Sequence, residues 1–224
     1  MGCTTSRTLV RGLVLVILSA NSLRAQEEAA QTPKVDEAAA AQLENCELYP
    51  LGVGREWTFK SGPLEIVERV TRHETVGDEL CARVETVFGG KVVSYEHLAV
   101  RKDGVYRVAI AGKPVEPPLR FLLLPAEAGK TWKVDSKVVN QPIKGDFTLG
   151  KKPLKIGDED LEAVVVEGAN FKVGKGDLSF TYFFVPGVGK AKQIVTINDQ
   201  NTTLELSELP RPGLAEPPQD ARKL

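Results

Sequence analysis

The chain has 224 residues, 42% of them hydrophobic and 26% charged, with 29 basic against 30 acidic residues. That composition suits one ordinary globular domain plus tails, and the even balance leaves no basic footprint for nucleic acid and no strong field for steering a charged partner. The only methionine is the initiator, which excludes a Met-rich adaptable peptide groove.

The N-terminus reads as an export signal. Arg7 and Arg11 precede the apolar run "GLVLVILSA" (Gly12 to Ala20), and "NSLRA" ends on a small residue. The run is well short of the roughly 20 residues a bilayer-spanning helix needs, so no permanent membrane span is expected. Cleavage is expected between Ala25 and Gln26. It removes three arginines and no acid, leaving 26 basic against 30 acidic residues and a net charge of −4. "MGCTTS" also fits a myristoylation pattern, with Cys3 available for a second chain. That reading leaves "LVLVILSA" exposed in the cytosol, and the export signal satisfies more independent conditions. No acylated cysteine follows the apolar run, as a bacterial lipoprotein would require.

Residues 26–47 are polar and alanine-rich and read as a flexible leader, with one short helix over Val35 to Leu43. Residues 48–209 form one unit of about 160 residues, large enough to bury close to 70% of its unfolded surface. Its punctuation is that of antiparallel strands. "REWTFKS" and "PLEIVERVTRHETV" meet at Gly62-Pro63, "ELCARVETVF" and "KVVSYEHLAVRK" at Gly89-Gly90, and Asp103-Gly104 opens "VYRVAIAG". In that strand Tyr106, Val108 and Ile110 are expected to share a face. "TWKVDSKVV", "IKGDFTLGKKPLKI", "LEAVVVEGANFKV", "LSFTYFFVP", "AKQIVTIND" and "TTLELSEL" follow. The expected fold is all-β: a single antiparallel curved sheet of about ten strands, an open barrel or a sandwich, with at most a short N-terminal helix. Residues 210–224 are proline-rich and read as a disordered tail.

The only two tryptophans stand in matching stretches, "PLGVGREW" (Pro50 to Trp57) and "PAEAGKTW" (Pro125 to Trp132), with a looser copy in "PGVGKAK" (Pro186 to Lys192). Gly129-Lys130-Thr131 suggests a phosphate loop, but Leu124 occupies the position of its first glycine and a strand follows where a helix is needed. In the third copy Phe184 replaces that glycine and Ala191 the hydroxyl residue, so nucleotide binding is not expected. The motif is explained as a strand entry. Proline ends the previous segment, glycine permits a positive φ, the basic residue faces solvent and tryptophan enters the core. The recurrence reads as shared turn chemistry or as duplication of a half-domain.

The order of "YPLGVGREW", "LLLPAEAGKTW", "LEAVVVEG" and "FFVPGVGKAKQI" resembles a family of secreted or periplasmic bacterial β-sheet domains of unknown function. It is similar in architecture to the open β-barrels of lipoprotein carriers. The resemblance covers residues 48–208 and implies a curved antiparallel sheet and an apolar ligand. It carries no catalytic residues with it.

Candidate chemistry is sparse. Cys46 and Cys81 are an even pair in an oxidising compartment. A bridge between them would contribute about 3–4 kcal/mol in the chain-entropy picture, against two thiols that never meet. Leu80, Ala82 and Val84 alternate with Cys81, Arg83 and Glu85, so Cys81 points away from the core face. His73 and Glu74 are strand neighbours on opposite faces and cannot share a metal, and a site joining His73 with His97 needs a particular register. "GDEDLE" (Gly157 to Glu162) lacks the ligand spacing of a calcium loop and reads as a solvated turn. "NTT" (Asn201 to Thr203) is a glycosylation sequon only in a host with that machinery. There is no serine elbow, and neither catalytic residue, metal nor cofactor is expected.

The informative feature is an apolar surplus. "LRFLLLP" and "LSFTYFFVP" are apolar on both faces; in the second, Leu178, Phe180, Tyr182 and Phe184 face one way and Phe183 and Val185 the other. Such strands are central in a sandwich, or are covered by the N-terminal helix, or line a cavity or partner surface. Leu122, Leu124, Phe180, Tyr182 and Phe184 are the candidate lining. The expected function is a non-catalytic exported module, periplasmic or extracellular, that binds a lipid-like ligand or an envelope protein. The alternatives are a structural or partner-binding domain without a cavity and, third, an enzyme.

Overall fold

The computed structural model describes residues 36–139, 141–173 and 176–210. The signal segment with its Ala25–Gln26 junction, the start of the leader and the tail from residue 211 lie outside the described residues.

One helix opens the fold. Asp36 accepts from the amides of Ala38 (3.0 Å) and Ala39 (3.4 Å), so its carboxylate caps α1 (Glu37–Glu44). Four consecutive alanines then favour helix over any competing local structure. The folded unit therefore starts earlier than residue 48. Leu43, Cys46, Leu48, Tyr49 and Leu51 are all buried, and residues 45–51 are part of the core.

Twelve antiparallel strands follow, each paired with its neighbours in sequence, and the last returns to the first. They are β1 (Glu56–Ser61), β2 (Leu64–Val76), β3 (Glu79–Phe88), β4 (Lys91–Arg101), β5 (Gly104–Ile110), β6 (Lys113–Leu123), β7 (Thr131–Val138), β8 (Gln141–Ile156), β9 (Glu159–Val173), β10 (Gly176–Val185), β11 (Gly189–Ile197) and β12 (Gln200–Leu206). The sheet closes into a barrel. The fold is all-β and antiparallel with one short helix, as expected; it has twelve strands where about ten were expected, and the barrel is closed. Closure leaves no free edge.

The sequence showed only the end of β6, as "LRFLLLP"; its first half was overlooked. Its three prolines, Pro114, Pro117 and Pro118, argue against a central strand because they cannot donate to a ladder. The fold places them at a seam. β6 and β7 pair only at Val115–Val138 and Glu116–Lys137, so the prolines beyond leave no required bond unmade. A second seam lies between β1 and β12, paired at Phe59–Leu206 and Lys60–Glu205. The two seams divide the barrel into two runs of six strands.

Each run begins with the repeated turn. Gly54 and Gly129 have φ of 86° and 85°, a left-handed conformation that side chains resist. Gly54 N–H donates to the Val70 carbonyl and Val70 N–H to Arg55; Gly129 N–H donates to Leu149 and Leu149 N–H to Lys130, all at 2.7–2.9 Å. The tryptophan that follows reaches across the seam. The Trp57 indole donates to the Val188 carbonyl at 2.7 Å, and the Trp132 indole to the Arg120 carbonyl at 2.9 Å. One local solution thus repairs both weak joints.

The β5 expectation needs one correction. Register shifts between Arg107 and Ala109 place Tyr106 and Val108 in a small outer cluster with Cys81 and Ala99, while Ile110 stays in register with Glu96. A bulge breaks the period of two there, and the three residues do not share a face.

Candidate functional site

Turns alternate between the two ends of the barrel. The helix end carries the chain entry and the turns at 77–78, 102–103 and 157–158, and the residues around Tyr49 close it. Tyr49 packs on Trp57 and Phe184 at 5.5 Å each and on Phe121 at 6.3 Å. Gly187 N–H donates to the Glu47 carbonyl and Leu51 N–H to Leu43, which tie the entering segment down. His73 faces the same interior and donates to the Leu51 carbonyl at 2.7 Å.

Ring contacts continue without a break from Trp57 to Trp132, through Tyr49, Phe184, Tyr182, Phe180, Phe171 and Phe147. Phe180 stacks on Tyr182 with planes 10° apart, because alternate residues of β10 point into the barrel. Four charges share this interior. Glu68, between Ile66 and Val70 on the inner face of β2, binds Lys190 Nζ at 2.7 Å. Glu96, in register with Val84 and Ile110, binds Arg107. Burial alone would raise the Glu96 carboxyl, but Arg107 and Lys190 outweigh it and hold it below its ordinary value. Burial also raises the Tyr182 hydroxyl, which hydrogen-bonds Arg107, so it stays protonated.

Accessibility along the interior is graded. At the helix end Trp57, Val84, Leu98, Val105, Leu122 and Phe184 are fully buried. Toward the other end the inward residues Thr86, Ser94, Ile110, Leu178, Phe180, Val195 and Thr202 are only half-buried. Glu96 and Arg107 sit between these zones. Protein surrounds both, yet each side chain keeps 20% of its surface accessible. The grading has the form of a cup: buried side chains at the helix end, half-buried and largely apolar ones toward the other end, and the Glu96–Arg107 pair between them.

The five candidate lining residues separate in burial. Phe180 is half-buried in the more accessible part, and Tyr182 is buried beside Arg107. Leu122 and Phe184 belong to the sealed core, and Leu124 lies half-buried in the β6–β7 connection. The outer residue of β10, Phe183, lies under the Lys192 ammonium at 5.9 Å.

The cysteines do not meet. Cys46 packs in the main core and Cys81 in the outer cluster, and both thiols are free. Cys81 does point away from the core face, but the segment around Cys46 enters on the inside of the wall. Burial pushes the Cys81 thiol up to about 12 and raises that of Cys46 as well. The histidines are likewise divided by the wall. His73 points in, while His97 points out and donates to Glu74 at 2.6 Å. The four interior charges were missed in the sequence. The available signal was phase for Glu68 and Glu96, which fall where a core residue is due; Arg107 stood opposite the expected Tyr106–Val108–Ile110 face, and Lys190, read as the solvent-facing base of the third turn, is buried.

No protein-family model matches the sequence, and no curated protein matches it. Among solved structures the chain is similar to a protein of Bacteroides fragilis, provisionally described as exported and as having a YmcC-like fold. Identity is 11% over 74% of this chain and 99% of that one, with a TM-score of 0.42. It is also similar to a protein of Parabacteroides distasonis provisionally described as a lipoprotein, with 12% identity over 73% of this chain and 98% of that one and a TM-score of 0.40.

Proposed function

We propose that the protein is an exported, non-catalytic binding barrel that holds an amphiphilic molecule with an acyl-like tail. The observation that carries this is the graded interior: buried at the helix end, accessible beyond Glu96 and Arg107, and walled there by Phe180, Ile110, Leu178 and Val195. An apolar tail would lie against those walls and a polar head against the ion pair and Tyr182. Each interior charge already has an opposite partner, which suits recognition better than proton transfer. The signal pattern of residues 1–25 supports export. Charges spread over the outer faces of β2, β3, β7 and β8, including Arg69, Glu85, Asp135 and Lys152, suit water rather than a lipid-facing barrel.

Native mass spectrometry of protein isolated gently from its own envelope fraction tests the reading. A lipid-sized extra mass that leaves on denaturation is expected. It should also be displaced by a fluorescent long-chain fatty acid. A bare protein mass with no uptake of that probe would instead favour a structural or partner-binding domain.

A further inference from the structure

The two ends of the barrel differ in chemistry. Among the described residues five large hydrophobic side chains are exposed: Val53, Phe88, Val92, Val93 and Val139. Four of them stand at the end away from the helix, where the inward residues are only half-buried. Phe88, Val92 and Val93 form the tip of the β3–β4 hairpin, and Val139 tops the β7–β8 turn at a φ of 59°. A β-branched residue in that conformation is strained, and Val139 is more than half exposed there.

The β3–β4 tip is paired with β2 as far as Ile66–Phe88 and stands free on its β5 side. Pairing of β4 with β5 begins at Glu96–Ile110, so residues 91–95 run past it, about 15 Å at roughly 3.3 Å per residue. Lys91 borders the tip and Lys113 the next turn around the barrel, and neither makes an ion pair among the described residues. The helix end is more acidic. Its turns carry Asp78, Asp103, Asp158, Glu159 and Asp160 and its entering segment Glu37, Glu44 and Glu47, against Lys102, Lys130 and Lys155. At the open end Glu65, Asp177 and Asp199 lie on other turns, while the apolar β3–β4 tip has Lys91 and Lys113, unpaired among the described residues, beside it.

We infer that the open end docks on an anionic lipid surface, with the β3–β4 tip entering the headgroup layer. Apolar side chains gain by leaving water there, and lysines beside them gain from the negative surface potential. The more acidic helix end is repelled, so the open end faces the lipid. This surface is separate from the binding cup and requires no ligand in it.

The test is flotation of the purified protein, as its host produces it, with vesicles of phosphatidylglycerol and phosphatidylcholine in equal parts, at low and high salt. Binding is expected at low salt, weaker at high salt and weaker still on phosphatidylcholine alone. The triple change Phe88→Ser, Val92→Ser and Val93→Ser should lower binding by about tenfold or more. Lys91→Gln with Lys113→Gln should lower it on the order of tenfold at low salt only. All five residues lie on the surface, and circular dichroism with a melting curve checks that both variants keep the fold. Fatty-acid probe uptake in free solution should be unchanged in both, which separates this docking from the proposed binding function. Wild type that fails to float would overturn the inference, as would variants that float equally well. So would a wild-type dimer in sedimentation that the tip variant loses, since the tips would then join two copies.

Discussion

Gly189 shows why the third "PGVG" stretch is fixed. A Cβ there would lie 3.1 Å from the Trp57 ring and 3.2 Å from Tyr49, at a φ of 104°. The residue is bare because two rings of the sealed end rest on its backbone. Gly189→Ala should therefore destabilise the fold by about 1–3 kcal/mol, read as a lower midpoint in urea unfolding with an unchanged slope. A midpoint within error of wild type would mean that the rings move aside freely. At this scale the sequence was legible in part. Proline, glycine and tryptophan announced strand entries, since φ restriction and ring size are properties of single residues. It did not show that the third copy packs against the first, because that contact joins residues more than 130 positions apart.

Strands were legible wherever turn residues bounded an alternating run, as in β2 and β3. The first half of β6 was not, because proline reports a missing donor and the sequence does not say whether a donor is needed. Nor was the bulge in β5, where one extra residue puts Ile110 on the face opposite Tyr106 and Val108 without any change of composition. The two seams were equally hidden, since ladder length is decided by partners. Each has only two residue pairs and an indole hydrogen bond, to which the β1–β12 seam adds the Ser207 N–H to Thr58 bond and the Arg55 bonds to Gly187 and Val188, so they are the weakest joints of the barrel. Trp132→Phe keeps the ring against Phe147 and removes only the bond to the Arg120 carbonyl. It should cost about 1 kcal/mol, and native-state amide exchange should quicken around Val115 and Val138 before it does in the β8–β9 ladder. Uniform quickening throughout the barrel would show that the seam is not a separate opening unit.

At the scale of the whole molecule, an apolar period predicts which face is inward but not that the inward face holds charge. Glu68, Glu96, Arg107 and Lys190 occupy inward positions on four strands, and only closure brings them together as pairs. Such pairs contribute little net stability when intact, yet breaking one is costly. Their pH dependence follows from the sign of the Glu96 shift. Its carboxyl is held below the ordinary value of about 4.3, so the stabilisation is fully present above that value and is lost as pH falls through the lower folded value. Glu96→Gln leaves Arg107 without its partner. It should lower stability at pH 7 by about 2–3 kcal/mol, less than for a fully dry pair because both side chains keep some water. Between about pH 5 and 3 the variant should then lose less further stability than wild type, since one carboxylate that must be protonated is gone. Glu74, whose carboxyl Arg72 and His97 hold down against the opposing effect of burial, keeps part of the acid limb in both proteins. Urea unfolding at pH 7 and pH 4 distinguishes the cases. A gap between variant and wild type that narrows at pH 4 places Glu96 as a charged partner of Arg107. A gap of equal size at both pH values would mean that the glutamate acts there by shape alone.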